Sequence, residues 1–129
     1  MSHITQIELE IRDLTALREA CRRLGLTFME NQKTCLYYRS QTASCDHAIQ
    51  VPDASYEIGL VANGKGGYQL IWDAYAQGGL TQVVGENGGK LKQAYGIEKA
   101  KIEARRKGYA VYEKRLENGN IILNMEGGF

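Results

Sequence analysis

The sequence contains little proline, cysteine or histidine and almost no net charge. Its 129 residues include one proline, three cysteines and two histidines. The odd number of cysteines (Cys21, Cys35 and Cys45) and their irregular spacing argue against a disulfide framework and are typical of a reducing compartment. The 16 basic and 15 acidic residues leave a net charge of +1. No strong field would therefore steer the protein to nucleic acid or to an anionic membrane.

Long apolar segments are also missing. The uninterrupted apolar runs extend over only a few residues, too few for a transmembrane helix. The first six residues lack the cationic lead and the apolar core of a signal peptide. We therefore expect a cytoplasmic protein. Its length, with 43% apolar and 24% charged residues, predicts one globular domain over residues 1–129.

The first quarter of the chain predicts a strand followed by a helix. Apolar and polar residues alternate over residues 3–11, which is typical of a half-buried strand. Asp13 offers an N-cap oxygen to a helix over residues 14–24, and Gly25 is placed to end it in the left-handed conformation. Arg18, Arg22 and Arg23 lie off the apolar stripe of this helix, and we expect them to face solvent.

The middle of the chain predicts short strands separated by polar turns, at residues 26–30, 34–39, 46–51, 56–62 and 68–73. The small polar residues 41–44 are expected to form an exposed loop. The glycine-dense residues 75–89 predict either a loop or a short helix bent around residues 80–84.

The last third predicts a helix over residues 90–107 and a terminal hairpin. Gly96 costs roughly 1 kcal/mol relative to alanine inside such a helix and is a candidate break point. Strands at 109–116 and 121–125 flank Asn118-Gly119, which favours a tight turn because both residues accept positive φ. The element order predicts an α+β fold, in which two helices pack on one face of an antiparallel sheet. A ferredoxin-like arrangement, or an elaborated one, is the architecture we expect.

Segments along most of the chain match one family in order. They are Met1-Ser2-His3 and residues 13–25, 56–59, 68–73, 91–95, 104–109 and 118–123. In these segments the chain resembles the Ycf-thirty-five-like proteins, hypothetical chloroplast reading frames grouped as a bacterial, plastid and phage domain of unknown function. The resemblance implies a fold group, without an established activity or catalytic residues. Because relatives occur in phage genomes, it also leaves a host-modulating role open.

The most promising ligand-binding segment lies before the second helix. Gly88 and Gly89 could open that helix and present N–H groups to an anion, with Lys90 and Lys92 adding charge. The alternative is simple N-terminal capping by Asn87. A second glycine-rich loop, residues 63–67, precedes a strand rather than a helix, so a hairpin turn is the better interpretation there.

Two other groups of residues are candidate sites. Asp73 and Tyr75 lie where a predicted strand ends and could border a pocket, although Asp73 could equally cap a turn. Cys35, Cys45 and His47 are zinc-ligand types, and positions 45 and 47 would share one face of a strand. Their spacing does not match structural zinc sites, and no third group is placed to orient a cysteine nucleophile. We expect no catalytic residue, no metal and no cofactor.

These observations favour binding over catalysis. The main hypothesis is a small non-catalytic adaptor or regulator that binds another protein through an exposed sheet edge or apolar patch. The alternative is a binder of a small phosphate-bearing ligand, such as a nucleotide. RNA is a less favoured partner, and self-association stays open. An RNA site would need exposed strand aromatics beside basic helix residues, for which the sequence offers Tyr37, Tyr38, Tyr68, Tyr109, Tyr112, Lys99, Lys101, Arg105, Arg106 and Lys107.

Overall fold

The computed structural model describes residues 4–127 of the chain. Met1, Ser2 and His3, which carry the first segment of the family resemblance and one of the two histidines, lie outside this range. The described residues form three α-helices, α1 (Leu14–Leu24), α2 (Leu80–Val84) and α3 (Gly89–Arg106). They also form nine strands, β1 (Ile4–Ile11), β2 (Thr27–Met29), β3 (Thr34–Tyr37), β4 (Gln41–Ser44), β5 (His47–Gln50), β6 (Glu57–Ala62), β7 (Tyr68–Asp73), β8 (Ala110–Arg115) and β9 (Ile121–Glu126).

Helix α1 begins and ends at the signals that the sequence provides. The Asp13 carboxylate accepts a hydrogen bond from the Ala16 N–H at 3.0 Å, which satisfies one of the free amides of the first turn. Gly25 closes the helix with φ of 75°, a conformation that glycine adopts without steric cost. The predicted bounds of α1 are therefore confirmed.

Five antiparallel strands form the main sheet in the order β1-β7-β6-β5-β2. Helices α1 and α3 share one core with this sheet, in which Leu17 and Leu91 from the helices and Leu60 and Leu70 from the strands are fully buried. The Tyr95 hydroxyl on α3 accepts hydrogen bonds from two backbone N–H groups just before α1, which fixes the two helices against each other. The predicted α+β class, with two helices on one face of an antiparallel sheet, is confirmed.

A short ribbon of β3 and β4 covers part of the opposite face of the sheet. Cys35 on β3 approaches the sheet so closely that a Cβ at Gly59 would lie 2.8 Å from its sulfur. The expectation of a loop at residues 41–44 is wrong, because Gln41–Ser44 is strand β4, paired with β3. Its polar side chains suit an exposed strand, while Ala43 alone packs inward.

Helix α3 runs without interruption through Gly96, so the candidate break there is wrong. Buried residues on both sides of the glycine, including Leu91, Ala94, Tyr95 and Ile97, hold the helix to the core and outweigh the intrinsic preference of one glycine. Among the described residues, no helix combines the length and apolar character needed to cross a bilayer.

Candidate functional site

The C-terminal hairpin is a two-stranded sheet separate from the main sheet, and we call it the terminal ribbon (β8, β9 and the turn at residues 116–120). Its register pairs Ala110 with Glu126 and Arg115 with Ile121. None of its twelve strand residues is buried, and nine are exposed. Tyr112 is 52% exposed and Met125 is 49% exposed. An ordinary sheet buries one face, so the terminal ribbon leaves an unusual amount of apolar surface in water.

The strand register divides the terminal ribbon into two faces. The inner face holds Val111, Glu113, Arg115, Ile121, Leu123 and Met125. The outer face holds Ala110, Tyr112, Lys114, Ile122, Asn124 and Glu126. Because Glu113 contacts side chains of α1 and α3, the inner face is the one turned to the helices. All six residues of the outer face are exposed.

Four charged side chains attach the terminal ribbon to the helices, and we call them the ion cluster: Arg23, Glu98, Lys101 and Glu113. The Arg23 guanidinium donates two hydrogen bonds to Glu113, at 2.7 and 2.6 Å, and a third to Glu98 at 2.9 Å. The Lys101 ammonium donates to Glu113 at 2.8 Å. Two cations thus balance two carboxylates, in the bidentate geometry that makes arginine–carboxylate pairs strong.

Contacts within the ion cluster shift the pKa values of two of its members. Hydrogen bonds from Arg23 and then from Lys101 lower the pKa of Glu113 to about 2. The same Glu113 carboxylate, with a smaller contribution from Glu98, raises the pKa of Arg23. The expectation that Arg23 faces solvent is wrong, because its side chain is only 24% exposed. Its two partners lie 75 and 90 residues away in sequence, beyond the reach of local pattern analysis.

A cleft of about 470 Å³ lies between the terminal ribbon and the helices, and we call it the ribbon cleft. Three cationic side chains, three carboxamides and three aliphatic side chains line it, together with one glycine. They are Arg23, Lys90, Arg115, Gln93, Asn118, Asn120, Leu24, Ala94, Ile121 and Gly119. The Gln93 amide donates to the Gly119 carbonyl at 3.3 Å, which joins α3 to the ribbon turn at one side of the cleft.

The ribbon cleft includes one of the four residues predicted before α3. Lys90 lines it, whereas Lys92 lines a different cleft beside Gln6 and Glu8 on β1. The backbone amides of Gly88 and Gly89 already donate to the carbonyls of Gly85 and Glu86. The anion would therefore have to displace internal hydrogen bonds to reach either amide.

The residue that begins α3 differs from the sequence expectation. Gly88, in the left-handed conformation with φ of 70°, occupies the N-cap position, and no side chain caps the helix. The expected capping by Asn87 is therefore wrong. Asn87 itself has φ of 53°, which is an uncommon backbone conformation that asparagine tolerates better than most residues. Tight packing explains the glycine, because a Cβ at Gly88 would lie 2.9 Å from a methyl carbon of Ile7.

Asp73 and Tyr75 lie away from the ribbon cleft and contact each other. Asp73 is 1% exposed, and its Oδ1 accepts a hydrogen bond from the Tyr75 N–H at 3.0 Å. Its Oδ2 has no hydrogen-bond partner among the described residues. The Tyr75 ring meets the Tyr38 ring edge-on, with centroids 5.6 Å apart. The turn after β7 therefore uses Asp73 in the capping role that the sequence left open.

The side chains of the zinc-ligand types, Cys35, Cys45 and His47, do not come together at one place. His47 packs between Phe28 and Tyr68, and its Nδ1 accepts from the Asn31 N–H at 2.9 Å. Cys35 and Cys45 lie in a separate cluster with Ala48 on the other face of the sheet, so the expectation that positions 45 and 47 share a face is wrong. Within residues 4–127, no three His, Cys, Asp or Glu side chains form a metal site.

Burial also makes the thiols poor nucleophiles. It raises the pKa of Cys21 and of Cys45 to about 12 and raises that of Cys35 as well. Because the thiolate is the reactive form, these cysteines are suited to packing rather than to nucleophilic chemistry.

The aromatic and basic residues that the sequence offers for an RNA site are scattered over the structure. Tyr37, Tyr38 and Tyr68 are half-buried, whereas Tyr109 and Tyr112 are exposed at the start of the terminal ribbon. Lys101 belongs to the ion cluster. The exposed tyrosines therefore lie on the ribbon and not on the five-stranded sheet.

Comparison with known proteins adds one finding. A family model described as "Protein of unknown function (DUF1257)" matches residues 20–123, which include the ion cluster and most of the terminal ribbon. No curated protein and no solved structure matches the chain.

Proposed function

Because the chain belongs to the DUF1257 family of proteins of unknown function, we propose its function from geometry: it is a non-catalytic adaptor or regulator that binds another protein through the terminal ribbon. The observation that carries this proposal is the exposure of all twelve ribbon strand residues to some degree. An isolated two-stranded hairpin is at best marginally stable in water. A partner that covers the ribbon would remove this apolar surface from solvent.

The open edge of the ribbon supports a specific mode of binding. Among the described strands, β9 pairs only with β8, so its other edge is free to accept a further strand. Tyr112 and Ile122 are exposed on the outer face, next to Lys114. We propose that the occupant is an extended segment of a partner protein, which adds a strand along β9 and places alternate apolar side chains on the outer face.

The composition of the outer face agrees with this mode. Tyrosine is enriched at protein interfaces, and the Tyr112 side chain supplies a large contact area with few rotatable bonds. The ion cluster supports the proposal too, because it holds the inner face on the helices and thereby leaves the outer face and the β9 edge free.

The test uses two outer-face substitutions on the full chain. Tyr112→Ser combined with Ile122→Ser should abolish capture of a partner that co-purifies with the native protein. Leu36→Ser is the matched control, because Leu36 is 38% exposed on β3, which lies in a different ribbon. Circular dichroism should show that both variants stay folded. Retention of the same partner by the double variant would contradict the proposal.

Self-association must be separated from binding of another protein. Light scattering over a range of concentrations would reveal a dimer. If the native chain forms a dimer that Tyr112→Ser with Ile122→Ser dissolves, the ribbon pairs two copies and the adaptor proposal is wrong.

We also propose kinship with the Ycf-thirty-five-like proteins, a cytoplasmic location and, for a phage-borne gene, modulation of a host protein. The six matching segments within residues 13–123 support the first, and the reduced, unpaired state of the three cysteines supports the second.

A further inference from the structure

The ribbon cleft is positively charged although the whole chain is almost neutral. Among residues 4–127, three cations line it and no acidic residue does. Arg23 is balanced by Glu98 and Glu113, whereas Lys90 and Arg115 form no ion pair among the described residues. Two uncompensated cations in one concave surface attract anions and concentrate them locally.

The fold itself places Arg115 in the cleft. Arg115 lies two residues after Glu113 on β8, so both side chains are on the inner face of the terminal ribbon. Because the ion cluster holds Glu113 against α1 and α3, Arg115 lines the cleft from the ribbon, whereas Lys90 lines it from α3. The pair of cations is therefore built from segments that meet only when the ribbon is attached.

The remaining lining residues indicate the class of ligand. Gln93, Asn118 and Asn120 supply amide groups, which can hydrogen-bond to phosphate or hydroxyl oxygens. No aromatic side chain is among the described residues that line the cleft, so these residues offer no stacking surface for a nucleic-acid base. A volume of about 470 Å³ is within the range of small-molecule sites.

We propose that the ribbon cleft binds a small phosphate-bearing molecule, held by Lys90 and Arg115. Arginine matches the geometry of phosphate oxygens with two parallel N–H donors, and lysine adds a mobile point charge. The amides of Asn118 and Asn120 orient the remainder of the ligand. This site is separate from the outer face of the ribbon and does not depend on the adaptor proposal.

Calorimetric titration with inorganic pyrophosphate at constant ionic strength tests the site. Saturable binding by the full chain is expected. Lys90→Gln and Arg115→Gln should each weaken it about tenfold or more, since each removes a charged hydrogen-bond donor. Lys92→Gln is the matched control, because it removes the same charge from a neighbouring cleft and should leave the affinity unchanged.

Three results would overturn the proposal. The first is absence of saturable pyrophosphate binding, and the second is equal weakening by Lys92→Gln, which would indicate non-specific attraction. The third is tight, salt-dependent binding of a short single-stranded RNA that pyrophosphate does not displace. That result would indicate that Lys90 and Arg115 bind RNA rather than a small phosphate-bearing molecule. None of these three results depends on whether the outer-face variants lose a protein partner, so the cleft proposal and the adaptor proposal can fail independently.

Discussion

Arg23 and Glu113 lie 90 residues apart in sequence and are joined by two parallel hydrogen bonds of 2.7 and 2.6 Å. One residue belongs to the first helix and the other to the terminal ribbon. Among the described residues, the other side-chain hydrogen bonds from the helices to the ribbon run from Lys101 to Glu113 and from Gln93 to the Gly119 carbonyl. Because Glu113 accepts three of these four bonds, the attachment of the candidate interaction surface depends strongly on this carboxylate.

The first prediction concerns this pair. Glu113→Ala removes the acceptor shared by Arg23 and Lys101, and should make opening of the ribbon easier by about 1.5–3 kcal/mol, a typical range for hydrogen bonds to charged groups. Amide hydrogen exchange should accelerate in β8 and β9 while β6 and β7 stay protected. Glu117→Ala, which removes an exposed carboxylate that forms no ion pair with any residue the structure describes, is the control. Unchanged exchange in the ribbon would show that other contacts hold it.

The second prediction concerns acid. The pKa of Glu113 is lowered from 4.5 to about 2 by its bonds to Arg23 and Lys101. A lowered pKa means that the contribution to stability is fully present above about pH 4.5 and is lost as the pH falls from there toward about 2. Exchange or NMR signals of the ribbon should report loosening in this window. The Glu113→Ala variant should lack this acid dependence; a transition of the same size in the variant would implicate another group.

Elements that local sequence signals specify could be predicted, whereas elements that depend on contacts between distant residues could not. Local signals were sufficient for α1, where Asp13 and Gly25 mark the ends, and for β7, whose bounds agree with the prediction at both ends. The Asn118-Gly119 turn was likewise readable from the sequence. Polar strand β4 was missed because its partner β3, and not its own composition, stabilises it.

The candidate site was harder to predict because its parts are far apart in sequence. Lys90 was identified from its position before a helix, but Arg115 and Arg23 join it only through the attachment of the ribbon. The glycines at 88 and 89 resembled an anion loop, since sequence does not reveal that both amides are already donated to nearby carbonyls. No local sequence pattern reveals that Arg115 has no ion-pair partner among the described residues.

The third prediction separates these two glycines. Gly88→Ala should destabilise the protein by about 2–5 kcal/mol, because alanine at positive φ costs about 1–2 kcal/mol and overpacking against Ile7 adds about 1–3 kcal/mol. Gly89→Ala should be neutral or stabilising, since Gly89 has φ of −56° and no atom lies within 4 Å of its added Cβ. Chemical denaturation of both variants measures the difference. Equal stabilities would show that Ile7 and the backbone adjust.

The fourth prediction concerns Gly96, through which helix α3 continues without interruption. Gly96 lies on the exposed side of α3, and an added Cβ meets no atom within 4 Å. Gly96→Ala should therefore raise the free energy of unfolding by about 0.5–1 kcal/mol, because alanine loses less conformational entropy in a helix. Chemical denaturation measures this gain, with the m-value unchanged. The same substitution should leave pyrophosphate affinity and partner capture intact, because Gly96 lines neither the ribbon cleft nor the outer face. A loss of stability would instead indicate that α3 needs local freedom at this position, and the helix would then be the place to look for motion between the sheet and the ribbon.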